Sequence, residues 1–201
     1  MKVLGIGIWL IGLLLMLASP GGADLRAAEA MPGAAAPDFT LSDTEGQPVK
    51  LGSFAGKIVV LEWINPDCPF VQRVYQSGIM KDLATEYGRK GVVWLAVNST
   101  HYMDAAASRQ WKEKYALPYP ILDDRAGAVG RMYGAQTTPH MFVIDKSGKL
   151  VYAGGLDDDP RGDRGKPGDY VRQALDALLA GKVVTLAETK PYGCSVKYAA
   201  K

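Results

Sequence analysis

The chain holds two cysteines, Cys68 and Cys194, and their placement is what most directly suggests chemistry. Cys68 stands in Asn65-Pro66-Asp67-Cys68-Pro69, between an apolar run and a segment of helical periodicity. A thiol at a helix N-terminus faces unpaired backbone N–H groups and the positive end of the helix dipole, and both favour thiolate, the reactive form. Pro69 suits the first helical position, having no N–H to leave unsatisfied and a backbone angle that is already helical. Cys68 is therefore expected to be a nucleophile; the competing expectation is a buried, inert cysteine. Other clusters carry less. His101 and His140 share no helical or hairpin spacing with each other or with Cys68, so no metal site is expected. Asp157-Asp158-Asp159 with Asp163 lacks EF-hand ligand spacing, and reads as a solvated acidic loop countered by Arg161, Arg164 and Lys166.

The elements that would position Cys68 follow from periodicity. Residues 58–64 form a short apolar run bounded by Gly56 and Pro66, as in a strand buried on both faces. Glu62 interrupts that run, and a carboxylate there is costly to bury without a role or a partner. Val71, Tyr75, Ile79, Leu83 and Tyr87 mark one face of a helix ending at Gly88, with a kink expected at Ser77-Gly78. Residues 92–97 predict a second strand, 105–115 a helix and 121–122 a short strand. Residues 141–144 and 150–153 flank Asp145-Lys146-Ser147-Gly148, which predicts a hairpin of antiparallel neighbours. Asp169 can cap a last helix over 170–180, with Gly181 just beyond it. The order β-α-β-α-β-β-α predicts an α/β fold, a central mixed sheet with helices on both faces.

Lys and Arg number 23 against 21 Asp and Glu, without basic clustering, so neither nucleic acid nor an anionic membrane surface is an expected partner. Met1-Lys2 followed by an apolar run over 3–18 and small residues at Ser19, Gly21, Gly22 and Ala23 reads as a secretory leader, residues 1–23. Its apolar run is shorter than the roughly 20 residues a bilayer requires, so no stable membrane anchor is expected after cleavage. The folded part is then expected in a periplasmic or other extracytoplasmic space, where disulfides persist. Residues 24–36 read as an Ala-, Gly- and Pro-rich linker, 37–181 as one domain and 182–201 as a tail.

Ala36-Pro37-Asp38-Phe39-Thr40-Leu41, the Gly56-Lys57-Ile58-Val59-Val60-Leu61 segment and Thr138-Pro139 resemble the AhpC/TSA branch of thioredoxin-like proteins. The resemblance implies a thioredoxin-like fold and thiol redox chemistry. It also implies a cis bond at Thr138-Pro139 facing the cysteine, with Thr138, Pro139 and the adjacent His140 offered to a substrate peptide or mixed disulfide. X-Pro is the only bond that adopts cis at modest cost. Glu62, six before the cysteine, matches the buried acid by which thioredoxins move thiol protons; burial raises a carboxyl's pKa toward the range where it exchanges. Asn65, with Pro66 and Pro69 beside it, could bond a peroxide or a thiolate, or could simply shape the turn.

The departures are as informative. Cys68-Pro69-Phe70-Val71 lacks the second cysteine of Cys-x-x-Cys, and Asn65 and Leu61 stand where peroxiredoxins usually carry Thr or Ser and Pro. Cys194 lies in a tail with Tyr192, Val196 and Tyr198, enough apolar surface to dock on the domain, and Gly193 permits close approach. If the tail returns to Cys68, Cys194 supplies the missing resolving thiol; alternatively the pair is a permanent bridge worth roughly 5 kcal/mol in loop-closure entropy. The expected function is a redox nucleophile acting on a peroxide or a protein or small-molecule disulfide, reset by an external thiol donor, without a cofactor. The alternative is a non-catalytic binding module locked by the same bridge.

Overall fold

The computed structural model describes residues 29–164 and 168–200. The leader reading over 1–23, the first part of the linker reading and Lys166 lie outside the described residues. The chain opens with an antiparallel hairpin, β1 (Thr40–Asp43) and β2 (Pro48–Lys50), followed by a 3-10 turn at Leu51–Phe54. β3 (Val59–Trp63) leads into α1 (Pro69–Gln76) and α2 (Ile79–Gly88). Then come β4 (Val93–Asn98), α3 (Ala105–Lys114), β5 (Ile121–Asp123) and α4 (Ala128–Met132). β6 (Thr137–Thr138), β7 (His140–Ile144), β8 (Leu150–Gly154), α5 (Tyr170–Leu179) and β9 (Cys194–Ser195) complete the order.

Seven strands form one mixed sheet in the order β2-β1-β5-β4-β3-β7-β8. β3 lies in its interior, parallel to β4 and antiparallel to β7, and all five of its residues are buried. That explains the unbroken apolar run of its sequence. Alternation along β3 divides the core. Val60 and Ile64 face a cluster built with Val71, Val74, Met80, Leu83, Val171 and Leu175 from α1, α2 and α5. Val59, Leu61 and Trp63 face the other side, packing with Val129 and Tyr133 around α4 and with Val196 of the tail. Helices thus cover both faces, as the α/β reading expects.

The expected single helix over 71–87 is two. Gly78 takes a left-handed φ of 80° between them, so the chain re-enters a helix on a new axis and keeps the same apolar face inward. α5 starts where expected: the Asp169 carboxylate accepts the Arg172 N–H at 2.9 Å. β7 and β8 pair antiparallel, as the hairpin predicts. The acidic loop is a correction. Asp157 and Asp159 are 5% and 3% exposed, because the Asp159 carboxylate takes the backbone N–H groups of Gly162, Asp163 and Arg164, and the Asp157 carboxylate that of Asp159. Satisfied donors offset the cost of burying those charges. Among the described residues no helix is long and apolar enough to cross a membrane, and no group of three or more His, Cys, Asp or Glu could hold a metal.

Candidate active site

Cys68 is the N-cap of α1, with Pro69 at the first helical position. Asn65 builds the turn that places it: its side-chain oxygen accepts the Asp67 N–H at 2.9 Å and its carbonyl accepts the Cys68 N–H at 2.9 Å. Pro66 contributes its carbonyl to the Gln72 side chain at 2.9 Å, tying the turn to the first turns of α1. The Thr138-Pro139 bond is cis, and the Thr138 carbonyl lies 3.0 Å from the Cys68 sulfur.

The tail closes this corner. β9 pairs antiparallel with β6, setting Cys194 opposite Thr138 and Ser195 opposite Thr137. Gly193 approaches so closely that a Cβ there would collide with the Thr138 carbonyl. The two cysteines are not bridged in this structure. Cys68 is 1% exposed, covered by the tail and by the α1 side of the core. An open cleft of about 620 Å³ runs beside the covering segment, lined in part by Thr137, Asp157, Tyr170, Tyr192 and Gly193.

The two sulfurs differ in acidity. Burial alone would push the Cys68 thiol up, but the Cys194 S–H, the Thr138 hydroxyl and the backbone N–H groups of Val71 and Cys194 outweigh it, and the net direction is down. The 3.0 Å contact with the Thr138 carbonyl suits the protonated form, in which the Cys68 S–H donates. Ionisation exchanges that acceptor for the donors. The Thr138 hydroxyl is free for the exchange, since it is buried without a hydrogen-bond partner. Burial, then the neighbouring Cys68 sulfur, push the Cys194 thiol up to about 11. Cys68 is thus the more acidic thiol of the pair and Cys194 the less acidic.

Glu62 is fully buried on the Val60 and Ile64 side of β3. Its carboxyl accepts the Tyr75 hydroxyl at 2.7 Å, the Trp94 ring N–H at 2.9 Å and the Tyr119 hydroxyl at 3.4 Å. Burial pushes its pKa up to about 7 against the opposing pull of these donors. No direct hydrogen bond links it to Cys68. His140 is not brought to the sulfur either. It lies two residues from Phe142 on one strand, on the Trp63 and Phe142 face of the sheet, its ring tilted by 39° against that of Phe142 with centroids 4.4 Å apart. Its Nδ1 accepts the Gln136 N–H at 3.2 Å, and burial pulls its pKa down to about 4. The period of two along β7 already carried that signal. Trp94 and Tyr119 were not singled out from sequence, and Tyr75 and Tyr192 were read only as a helix-face residue and as apolar docking surface, because the hydrogen-bond partners of all four are distant in the chain.

The AhpC/TSA family matches residues 32–153. The chain belongs to the AhpC/TSA family. This AhpC/TSA protein has a thioredoxin-like redoxin fold. It is 36% identical over 118 residues to the thiol-disulfide oxidoreductase ResA of Geobacillus thermodenitrificans, covering 59% of this chain and 66% of that protein. It is 30% identical over 131 residues to the chloroplastic peroxiredoxin Q of Oryza sativa subsp. japonica, covering 60% of this chain and 57% of that protein. The chain thus spans less than two thirds of these relatives. A crystal structure of a protein of Sinorhizobium meliloti 1021 superposes over 86% of this chain and 97% of its own, at a TM-score of 0.77 and 29% identity. The family match ends at residue 153, before the tail that carries Cys194.

Proposed function

We propose that this AhpC/TSA protein is an extracytoplasmic thiol–disulfide oxidoreductase in which Cys68 attacks a substrate disulfide and Cys194 resolves the intermediate. The observation that supports this best is the meeting of a helix-capping thiol of lowered pKa with a second thiol on the strand paired to Thr138. The Cys68 thiolate displaces one substrate sulfur and forms a mixed disulfide. Cys194 then loses its proton, attacks the Cys68 sulfur and releases the second substrate sulfur, so the substrate gains two electrons and the Cys68–Cys194 pair loses them. Burial is the main reason the Cys194 thiol is raised; the hydrogen bond and charge of Cys68 add to it, and that added part disappears once Cys68 enters a mixed disulfide, easing the second step. Glu62 has a pKa matched to proton exchange near neutrality and supplies or takes the thiol protons. Thr138 and Pro139 present the backbone edge a substrate meets, and an external thiol donor resets the bridge. The ResA relative supports the disulfide substrate, and the apolar leader sequence supports export.

A second reading has a peroxide oxidise Cys68 to a sulfenic acid, which Cys194 condenses with, releasing water. The peroxiredoxin Q relative and the near-complete burial of Cys68, which a small oxidant penetrates most easily, favour it. Turnover of an insulin-type disulfide and of hydrogen peroxide, each with a dithiol donor, separates the two. Disulfide turnover is expected to exceed peroxide turnover, and Cys68→Ser is expected to abolish it. A Cys68–Cys194 bridge that survives mild dithiol, with neither activity present, would establish the binding-module alternative instead.

A further inference from the structure

Tyr192 stands two residues ahead of Cys194 and is held from three directions. Its hydroxyl donates to the Asp157 carboxylate at 2.7 Å and accepts from the Arg73 guanidinium at 3.4 Å, and its ring meets the Phe70 ring at 6.1 Å. Phe70 and Arg73 belong to α1, the helix that Cys68 caps. Arg73 also donates to the Asp159 carbonyl at 2.9 Å, and Asp157 and Asp159 sit in a loop fixed by its own backbone N–H groups. The helix that presents the nucleophile and the loop after β8 therefore grip the tail immediately before its thiol. Beyond Cys194 the tail has separate moorings: the Val196 N–H donates to the Gln136 carbonyl at 3.0 Å and the Tyr198 hydroxyl to the Ala135 carbonyl at 2.9 Å.

We propose that Tyr192 is a positioning residue for the resolving step, its tie to Asp157 and Arg73 setting the fraction of time that the Cys194 sulfur stands at Cys68. This rests on Cys194 being the resolving thiol. An intramolecular attack scales with the effective concentration of the attacking group, so loosening the leading side of the tail slows resolution without touching Cys68 itself. The same loosening uncovers Cys68. The first and second chemical steps therefore respond in opposite directions, whereas a defect in the fold around Cys68 would slow both.

The test uses the full-length reduced protein and one equivalent of dithiodipyridine, followed by stopped-flow absorbance. The Cys68 thiolate cleaves the reagent's S–S bond and releases one thiopyridone, leaving a Cys68–pyridyl mixed disulfide. Cys194 then gives up its proton and displaces the second thiopyridone, forming the Cys68–Cys194 bridge. Tyr192→Phe is expected to slow the second release roughly tenfold, the size of one hydrogen bond to a charged group, with the first release no slower than in the unsubstituted protein. Asp157→Asn is expected to do the same, and thermal melting monitored by circular dichroism checks that each variant is folded. A second release within twofold of the unsubstituted rate in both variants, or a parallel fall in both releases, overturns the assignment of Tyr192. Two releases from Cys194→Ser would instead overturn the resolving role of Cys194, whatever Tyr192 does.

Discussion

Glu62 and His140 are buried on opposite faces of the sheet, and burial displaces them in opposite directions, Glu62 up from 4.5 to about 7 and His140 down from 6.5 to about 4. For Glu62 the folded state holds its proton more tightly than the unfolded chain. Its contribution to stability is full below pH 4.5 and falls until the pH passes about 7. For His140 the contribution is full above pH 6.5 and is lost as the pH falls toward about 4. Each is worth about 3 kcal/mol across its window. Between pH 4.5 and 6.5 the two slopes oppose, so their sum is nearly flat in the unsubstituted protein. Single substitutions are expected to unmask them. In urea titrations over that interval, Glu62→Gln should gain stability with rising pH by about 1.4 kcal/mol per unit, and His140→Asn should lose as much. Parallel curves for all three proteins would show that neither group titrates as its burial requires. Glu62→Gln should also lose the part of the oxidoreductase pH profile that titrates near pH 7, if that carboxyl moves the thiol protons.

At the scale of elements the tail is the decisive piece. Gly193 has a φ of 132° and lies against the Thr138 carbonyl, so both backbone conformation and space exclude a side chain there. Gly193→Ala is expected to lift β9 from β6 and uncover Cys68. Alkylation by iodoacetamide should accelerate at least about tenfold, measured by intact mass at alkaline pH so that thiolate content is not limiting. An unchanged rate would mean that something other than the tail covers the sulfur. The sequence made Gly193 and Cys194 legible as chemistry, and it made β3, β4, α3, the β7–β8 hairpin and α5 legible as structure, because each of those elements buries a face long enough to leave a period; β5 was legible only as the apolar pair Ile121-Leu122 ahead of Asp123. Shorter pieces left none. β6 and β9 have two residues each, so their pairing is written in the Thr138-Pro139 turn and the Gly193 backbone and not in any alternation. The β1–β2 hairpin and α4 escaped for the same reason, with strands of four and three residues and a helix of five. The acidic loop misled because its carboxylates are paid for by local backbone N–H groups, which a composition cannot reveal.

At the scale of the whole molecule, a bridge between the two cysteines would close everything from α1 to β9 into one loop, and that would couple redox state to stability. Cross-linking at this separation removes chain entropy from the unfolded state worth at most roughly 5 kcal/mol, and native-state strain subtracts from it, leaving about 2–5 kcal/mol. The tail is docked with both cysteines as thiols, moored by Tyr192 on one side of Cys194 and by Val196 and Tyr198 on the other. Bridging therefore demands little rearrangement of the native state. Oxidised protein is expected to unfold at higher guanidinium concentration than reduced protein, by a free energy in that range, and Cys194→Ser should show no difference between oxidising and reducing conditions. The same free energy must appear in the redox equilibrium, since the two form a thermodynamic cycle: the bridge in the native protein should be harder to reduce than in the unfolded chain by roughly 40–110 mV. Equilibration with glutathione buffers, in water and in denaturant, measures that second leg. A native potential equal to the unfolded one would mean that the fold does not bring the two sulfurs together, and Cys194 would then have no part in the chemistry of Cys68.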